Sequence, residues 1–197
     1  MKKIILSTLI IGSLTTTMVL PSTIANAAES GTTLNSVAES QFIKFSPSSS
    51  SINDIGNRTP LKQISNTVYE ASIVGKTDTG QEEGVGTVLI KNTITNSYSE
   101  FRFQSNNPNY QYSPLKITCG TDDTVYIIVG GAFGTLNYGG SLYSLNLKTG
   151  QTKLVAEKSY GEQIVDAKIK NDKLNLEIYK FDDNFMNYTI YNKSINL

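Results

Sequence analysis

The stretch LKITCGTDDTVYIIVGGAFGTLNYGGSLYSLNLKTGQTKLVAE, residues 115–157, decides the fold class. Leu115, Ile117 and Cys119 alternate with Lys116 and Thr118, the period of two of a half-buried strand. Asp122 and Asp123 turn the chain into residues 125–129, an apolar run with no polar interruption, which reads as a strand covered on both faces. Residues 142–147 and 152–157 are two further strands, joined by Lys148-Thr149-Gly150-Gln151, a composition suited to a hairpin turn.

The same texture extends outward. Residues 68–74, 86–90 and 97–103 are strand-like, the last two flanking a turn at 92–96. Downstream, Val165, Ala167 and Ile169 alternate with charged residues, and Asn171-Asp172 turns into Leu174, Leu176 and Ile178. Residues 188–195 close the chain. No segment past residue 67 carries a helical period. A faint repeat at an offset of 54 aligns Val88-Leu89-Ile90 and its turn with Leu142-Tyr143-Ser144 and its turn, and each copy continues as hairpin, loop, alternating strand, acidic turn and apolar strand. That is the order of a propeller blade. Two blades do not close a ring, so the expected architecture is all-β: consecutive antiparallel hairpins in two propeller-blade-like sheets packed together, not a closed propeller.

Upstream the composition changes twice. Met1-Lys2-Lys3 followed by an apolar run to Leu20, Pro21 and Ala25-Asn26-Ala27 has the make-up of a secretory leader with a small-x-small cleavage site, so residues 1–27 are expected to be a signal peptide. The run is too short and too diluted by Ser and Thr to span a bilayer. No cysteine follows it to take a lipid. Residues 28–66 are rich in Ser, Thr and Asn and poor in large apolar side chains. They are expected to be a largely disordered linker, in which 41–45 could pair as an edge strand. Residues 67–197 are then a single β-rich domain.

Composition excludes more than it selects. The chain has 197 residues, 17 basic and 17 acidic, no histidine and one cysteine. Loss of the leader would leave roughly 170 residues, enough for one domain with a real core, and two more acids than bases. Such a balance gives no electrostatic reason to expect nucleic acid or, after cleavage, a membrane surface. The missing histidine removes His-based triads and HExxH zinc sites, and one cysteine allows no intrachain disulfide.

Several segments carry a resemblance: YEASIVGK at 69–76, EEGVG at 82–86, PLK at 114–116, IIVGGAFGT at 127–135, GGSLY at 139–143 and YKFDDN at 179–184. The most specific is Gly134-Thr135-x(3)-Gly139-Gly140-x-Leu142-Tyr143. Together they resemble a family of secreted and envelope-bound Gram-positive proteins known only as a domain of unknown function. The resemblance covers roughly residues 67–195. It implies one intact domain and brings no activity, ligand or catalytic residue. One departure is Cys119-Gly120, where the family leads one to expect an aromatic residue.

The candidate site residues come from the residues alone. Gly130, Gly131, Gly134, Gly139 and Gly140 enclose Phe133, Asn137 and Tyr138, a loop that would present two aromatics and an amide to a sugar or a peptide. Tyr110 and Tyr112 lie in a polar loop bounded by Pro108 and Pro114, with the same recognition chemistry. The acidic turns give weak calcium candidates, Asp122, Asp123, Asp182 and Asp183, without EF-hand spacing, and no metal or cofactor is expected. Cys119 is expected to be a small buried hydrophobe. The function these features favour is a secreted, extracellular, non-enzymatic binding module for a glycan or a protein surface, monomeric or weakly dimeric. A secreted glycan hydrolase working through Glu83 and Asp182 is the alternative, and a cap or inhibitor domain for another exported protein is a third possibility.

Overall fold

A computed structural model describes residues 39–65, 67–77, 82–120 and 123–197. The expected leader and the linker's first residues, 28–38, lie outside them, as does Asp122. Two antiparallel sheets are built almost entirely from hairpins between neighbouring segments. The first comprises β1 (Gln41–Phe45), β2 (Lys62–Gln63), β3 (Tyr69–Val74), β4 (Thr87–Asn92) and β5 (Tyr98–Gln104), in the order β1-β5-β4-β3-β2. The second holds β6 (Tyr112–Cys119), β7 (Thr124–Gly131), β8 (Gly140–Asn146), β9 (Thr152–Ala156), β10 (Glu162–Lys170), β11 (Lys173–Phe181) and β12 (Tyr188–Asn196). Its order is β12-β11-β10-β8-β7-β6, with β9 added to β8. The all-β class and the two packed, unclosed sheets are as the alternation led one to expect.

The core explains why β7 has no polar residue between 127 and 129. One face of β7 gives Val125, Ile127 and Val129 to a cluster shared with Ala71, Ile73, Val88, Ile90, Phe101 and Phe103 of the first sheet. The other face gives Ile128 to a second cluster with Leu142, Ile164, Ala167, Leu174, Leu176 and Ile178. The second cluster is possible because β8 meets β10 at a single pair, Gly140 with Ile164, where the sheet turns its corner. Apolar side chains removed from water on both sides of one strand contribute about 1.5–3 kcal/mol each.

The two turns that the offset of 54 aligns share their hydrogen bonds, although the strands of the first copy are divided between the two sheets. The Asn92 side chain accepts from the amides of Ile94 and Thr95, and the Asn92 amide donates to Ser97 O. The Asn146 side chain accepts from the amides of Lys148 and Thr149, and the Asn146 amide donates to Gln151 O. Both turns close on a positive φ, at Asn96 (53°) and Gly150 (74°), the left-handed conformation that Asn and Gly tolerate best.

One expectation needs correction. Residues 39–65 are not a disordered linker. Residues 41–45 do pair as the expected edge strand, β1 against β5 through five residues, and beyond that Phe42 and Ile64 belong to the first core cluster. Between them a short helix, α1 (Ser49–Asn53), is capped by the Ser48 side chain, and the chain then runs beside β3. There the Thr59 amide donates to Ile73 O at 2.9 Å, the Ile73 amide donates to Thr59 Oγ1 at 2.9 Å, and the Gly75 amide donates to Asn57 O at 2.8 Å. A polar composition orders here because its backbone groups find partners on an existing sheet edge. A smaller difference concerns Leu115. It sits at a β-bulge between Pro114 and Lys116, so Ile117 and Cys119 join the first cluster and Leu115 does not.

Candidate binding groove

The glycines of the 130–140 loop are there for close approach. A Cβ on Gly139 would lie 2.1 Å from Ile164 O, and one on Gly140 would lie 1.9 Å from Val129 O. The loop therefore starts and ends where three strands crowd together. Gln163 pins it from β10, accepting from the Gly139 amide at 2.9 Å and donating to Leu136 O at 2.6 Å. From the other side the Glu83 carboxylate accepts from the Gly134 amide at 3.0 Å. Lys76, only 1% exposed, holds the Glu83 segment by donating to Glu82 O and to Gly84 O. Burial pushes the Lys76 ammonium below its ordinary value, while Glu82 and Glu83 oppose that shift.

The nominated residues divide between two surfaces. Asn137 and Tyr110 meet over Gly131, where a Cβ would fall 2.7 Å from Asn137 Oδ1 and 2.8 Å from the Tyr110 hydroxyl. The Tyr110 and Tyr112 rings are 4.7 Å apart. The Asn137 amide is used inside the loop, donating to Phe133 O and, at 3.3 Å, to Gly134 O. Phe133 is 53% exposed. Tyr138 turns instead along its own sheet toward β11 and β12, where it joins Tyr179, Phe181 and Tyr188 in an aromatic terrace whose tightest pair, Tyr179 with Tyr188, stacks at 4.2 Å.

A concave surface lies beside Tyr112. A groove of about 700 Å³ runs between the β1–β5 side of the first sheet and β8–β9 of the second. Phe103, Tyr112 and Tyr143 form its aromatic floor, with Phe103 and Tyr143 edge-to-face at 4.8 Å. Ser40 organises one rim: its hydroxyl donates to Asn106 Oδ1 at 3.2 Å and accepts from the Asn106 amide at 3.0 Å. Thr152 ties the other rim across the sheets, accepting from the Phe42 amide at 2.9 Å. Glu39, Glu157, Lys153 and Lys158 also line the groove, two charges of each sign. Burial raises the Tyr143 phenol above its ordinary value, a hydrogen bond with Ser40 opposes this, and Tyr112 and Glu157 add to it. Tyr112 is raised by burial and by Tyr110. Both phenols stay neutral and keep their hydrogens.

The carboxylates singled out from the sequence are engaged elsewhere. Asp182 accepts from the Met186 amide at 2.9 Å and from the Asn187 side chain at 3.0 Å, and these bonds hold its carboxyl below the ordinary range. A turn-bound carboxylate held ionised is a poor proton donor. Asp123 pairs with Lys148 at 2.5 Å. Among the described residues, no three acidic or cysteine side chains gather as a metal site would require. Cys119 is half-buried, and burial raises its thiol, against smaller opposing effects from Lys62 and Ser65.

A family model, domain of unknown function DUF4652, matches residues 21–196. The chain belongs to this family. The DUF4652 match reaches well upstream of the segments that carried the resemblance, in keeping with the ordered 39–65 region. A crystal structure of a protein named as a conserved lipoprotein of Clostridium novyi NT superposes with a TM-score of 0.68 at 28% identity, covering 81% of this chain and 99% of that one. No curated protein matches.

Phe103, Tyr143, Ser40 and Glu157 are absent from the residues that sequence reading selects. Phe103 and Tyr143 lie on strands, where an aromatic side chain reads as core. Only the packing of two sheets shows that their ring edges border open space.

Proposed function

We propose that this DUF4652 protein is a secreted, non-enzymatic binding module that holds a neutral glycan chain in the groove between its sheets. The observation that carries the proposal is the aromatic floor of Phe103, Tyr112 and Tyr143 inside a polar rim. Sugar rings offer apolar C–H faces that lie well on aromatic surfaces, and hydroxyls that bond to Ser, Thr, Asn and carboxylate groups. A pocket of this size with few placed polar groups is the usual form of a small-ligand site. The balanced rim charges favour an uncharged ligand over a strongly acidic or basic one. An exported location agrees with the leader-like residues 1–27, and the lipoprotein name of the clostridial neighbour is in keeping with it.

Affinity electrophoresis of the purified protein through gels containing soluble β-1,4-linked glucans, xylans or glycol chitin tests the proposal. At least one should retard the protein. Tyr143→Phe and Glu157→Gln, which remove polar groups while leaving the floor in place, should restore mobility. Release of reducing ends from the same polymers should stay at background. Unretarded migration in every gel, or retardation unchanged in both variants, would sink it.

A further inference from the structure

The terminal strand β12 is an unprotected edge. It pairs with β11 along nine consecutive residues with no bulge, and among the described residues no strand pairs with its other side. Edge strands are normally shielded by proline, inward charges, bulges or brevity. β12 has no proline, is nine residues long, and carries one charged side chain, Lys193. Tyr188, Ile190 and Tyr191 are exposed along it, and Met186 is exposed just before it. From this edge we infer that the protein forms a two-fold symmetric dimer in which β12 pairs antiparallel with β12 of a second copy.

The strand's own sequence selects a second copy as the occupant. A two-fold axis perpendicular to a sheet keeps each residue on its own face only if it passes through a residue, not between two. The one such axis that pairs all nine residues passes through Asn192. It sets Tyr188 opposite Asn196, Thr189 opposite Ile195, Ile190 opposite Ser194, and Tyr191 opposite Lys193. No like charges stand directly opposite, the two Lys193 lying on a diagonal where their long side chains can diverge into solvent, the apolar and aromatic residues gain cross-strand neighbours, and the two Asn192 amides face each other with donors and acceptors to exchange. The near-neutral chain adds no long-range repulsion between copies. The product is one continuous sheet running β10-β11-β12 and back through the second copy. This edge is separate from the groove and does not depend on the proposed glycan.

Sedimentation equilibrium on the unmodified protein, together with Asn192→Lys and Asn192→Glu, tests the inference. The unmodified protein should dimerise in the micromolar range. Each variant alone places like charges on the axis and should raise the dimer Kd roughly tenfold or more. An equimolar mixture of the two should form a heterodimer. Amide exchange of residues 188–196 in the unmodified protein should slow as concentration rises, a reading that needs no variant to fold. A monomer at high micromolar concentration, a dimer indifferent to both variants, or exchange at β12 independent of concentration would each overturn it.

Discussion

At the residue scale, the loop aromatics separate by what they touch. Phe133 is 53% exposed, with no ring partner among the described residues, whereas Tyr138, at 38%, stacks into the terrace with Phe181 and Tyr188. In chemical denaturation Phe133→Ala should therefore change the unfolding free energy by less than about 0.5 kcal/mol, and Tyr138→Ala should lower it by about 1–2 kcal/mol. Equal losses from the two would mean that the loop sits differently. Asp166 makes a pH prediction. Burial alone would raise its carboxyl, but hydrogen bonds and charge from Lys116 and Lys168, both at 2.8 Å, carry it below the ordinary value. A depressed folded-state value contributes stability at pH above the unfolded value of about 4 and loses it as pH falls through the folded value. Denaturation midpoints measured from pH 6 to pH 2.5 should fall less steeply for Asp166→Asn than for the unmodified protein. Parallel curves would show that the triad contributes nothing.

At the scale of elements, what was legible in the sequence followed physical period. Alternation in 167–178 and the apolar run at 125–129 correspond to β10, β11 and β7 because a pleated strand with one or two covered faces leaves that trace directly, whereas a bulge between Ile164 and Asp166 breaks the expected period and puts Ile164 rather than Val165 in the second cluster. The 39–65 region left such a trace only at 41–45, the edge strand β1. Its core contributions are isolated single residues, Phe42 and Ile64, and beyond β1 its order comes from backbone groups of Asn57 and Thr59 pairing with Gly75 and Ile73 at β3. Composition cannot register bonds of that kind. If the segment is integral, Phe42→Ala should cost about 3–5 kcal/mol, as for any buried phenylalanine, and a thermal melt unchanged by it would restore the linker. The loop glycines were legible as glycines, but their reason was not: nothing local tells that Gly140 sits against Val129 O at the corner between β8 and β10. Gly140→Ala should destabilise by about 3 kcal/mol or more, read as a loss in urea midpoint or in soluble yield, because backbone stands where the methyl group would go.

At the scale of the whole molecule, the two sheets do more than hide each other's faces. Where β1 and β5 part from β8 and β9, the packing leaves Phe103, Tyr112 and Tyr143 bordering a groove whose rims are tied by Ser40 to Asn106 and by Phe42 to Thr152. Tyr112 alone among these was visible beforehand, though it was expected in a Pro-bounded loop and instead begins β6, paired with Gly131. The others are strand residues whose role appears only when sheets from different parts of the chain meet. A groove walled by strands is held more rigidly than a loop surface, so a ligand should be recognised with little rearrangement. The most direct test is a backbone amide chemical-shift titration of the protein with neutral β-1,4-linked hexasaccharides of glucose, xylose and N-acetylglucosamine. Saturable shifts with one of them should concentrate on Ser40, Asn106, Tyr112, Tyr143, Thr152 and Glu157, with the terrace of Tyr138, Tyr179 and Tyr188 unmoved. Shifts confined to that terrace, or none with any of the three sugars, would contradict the groove as the binding site.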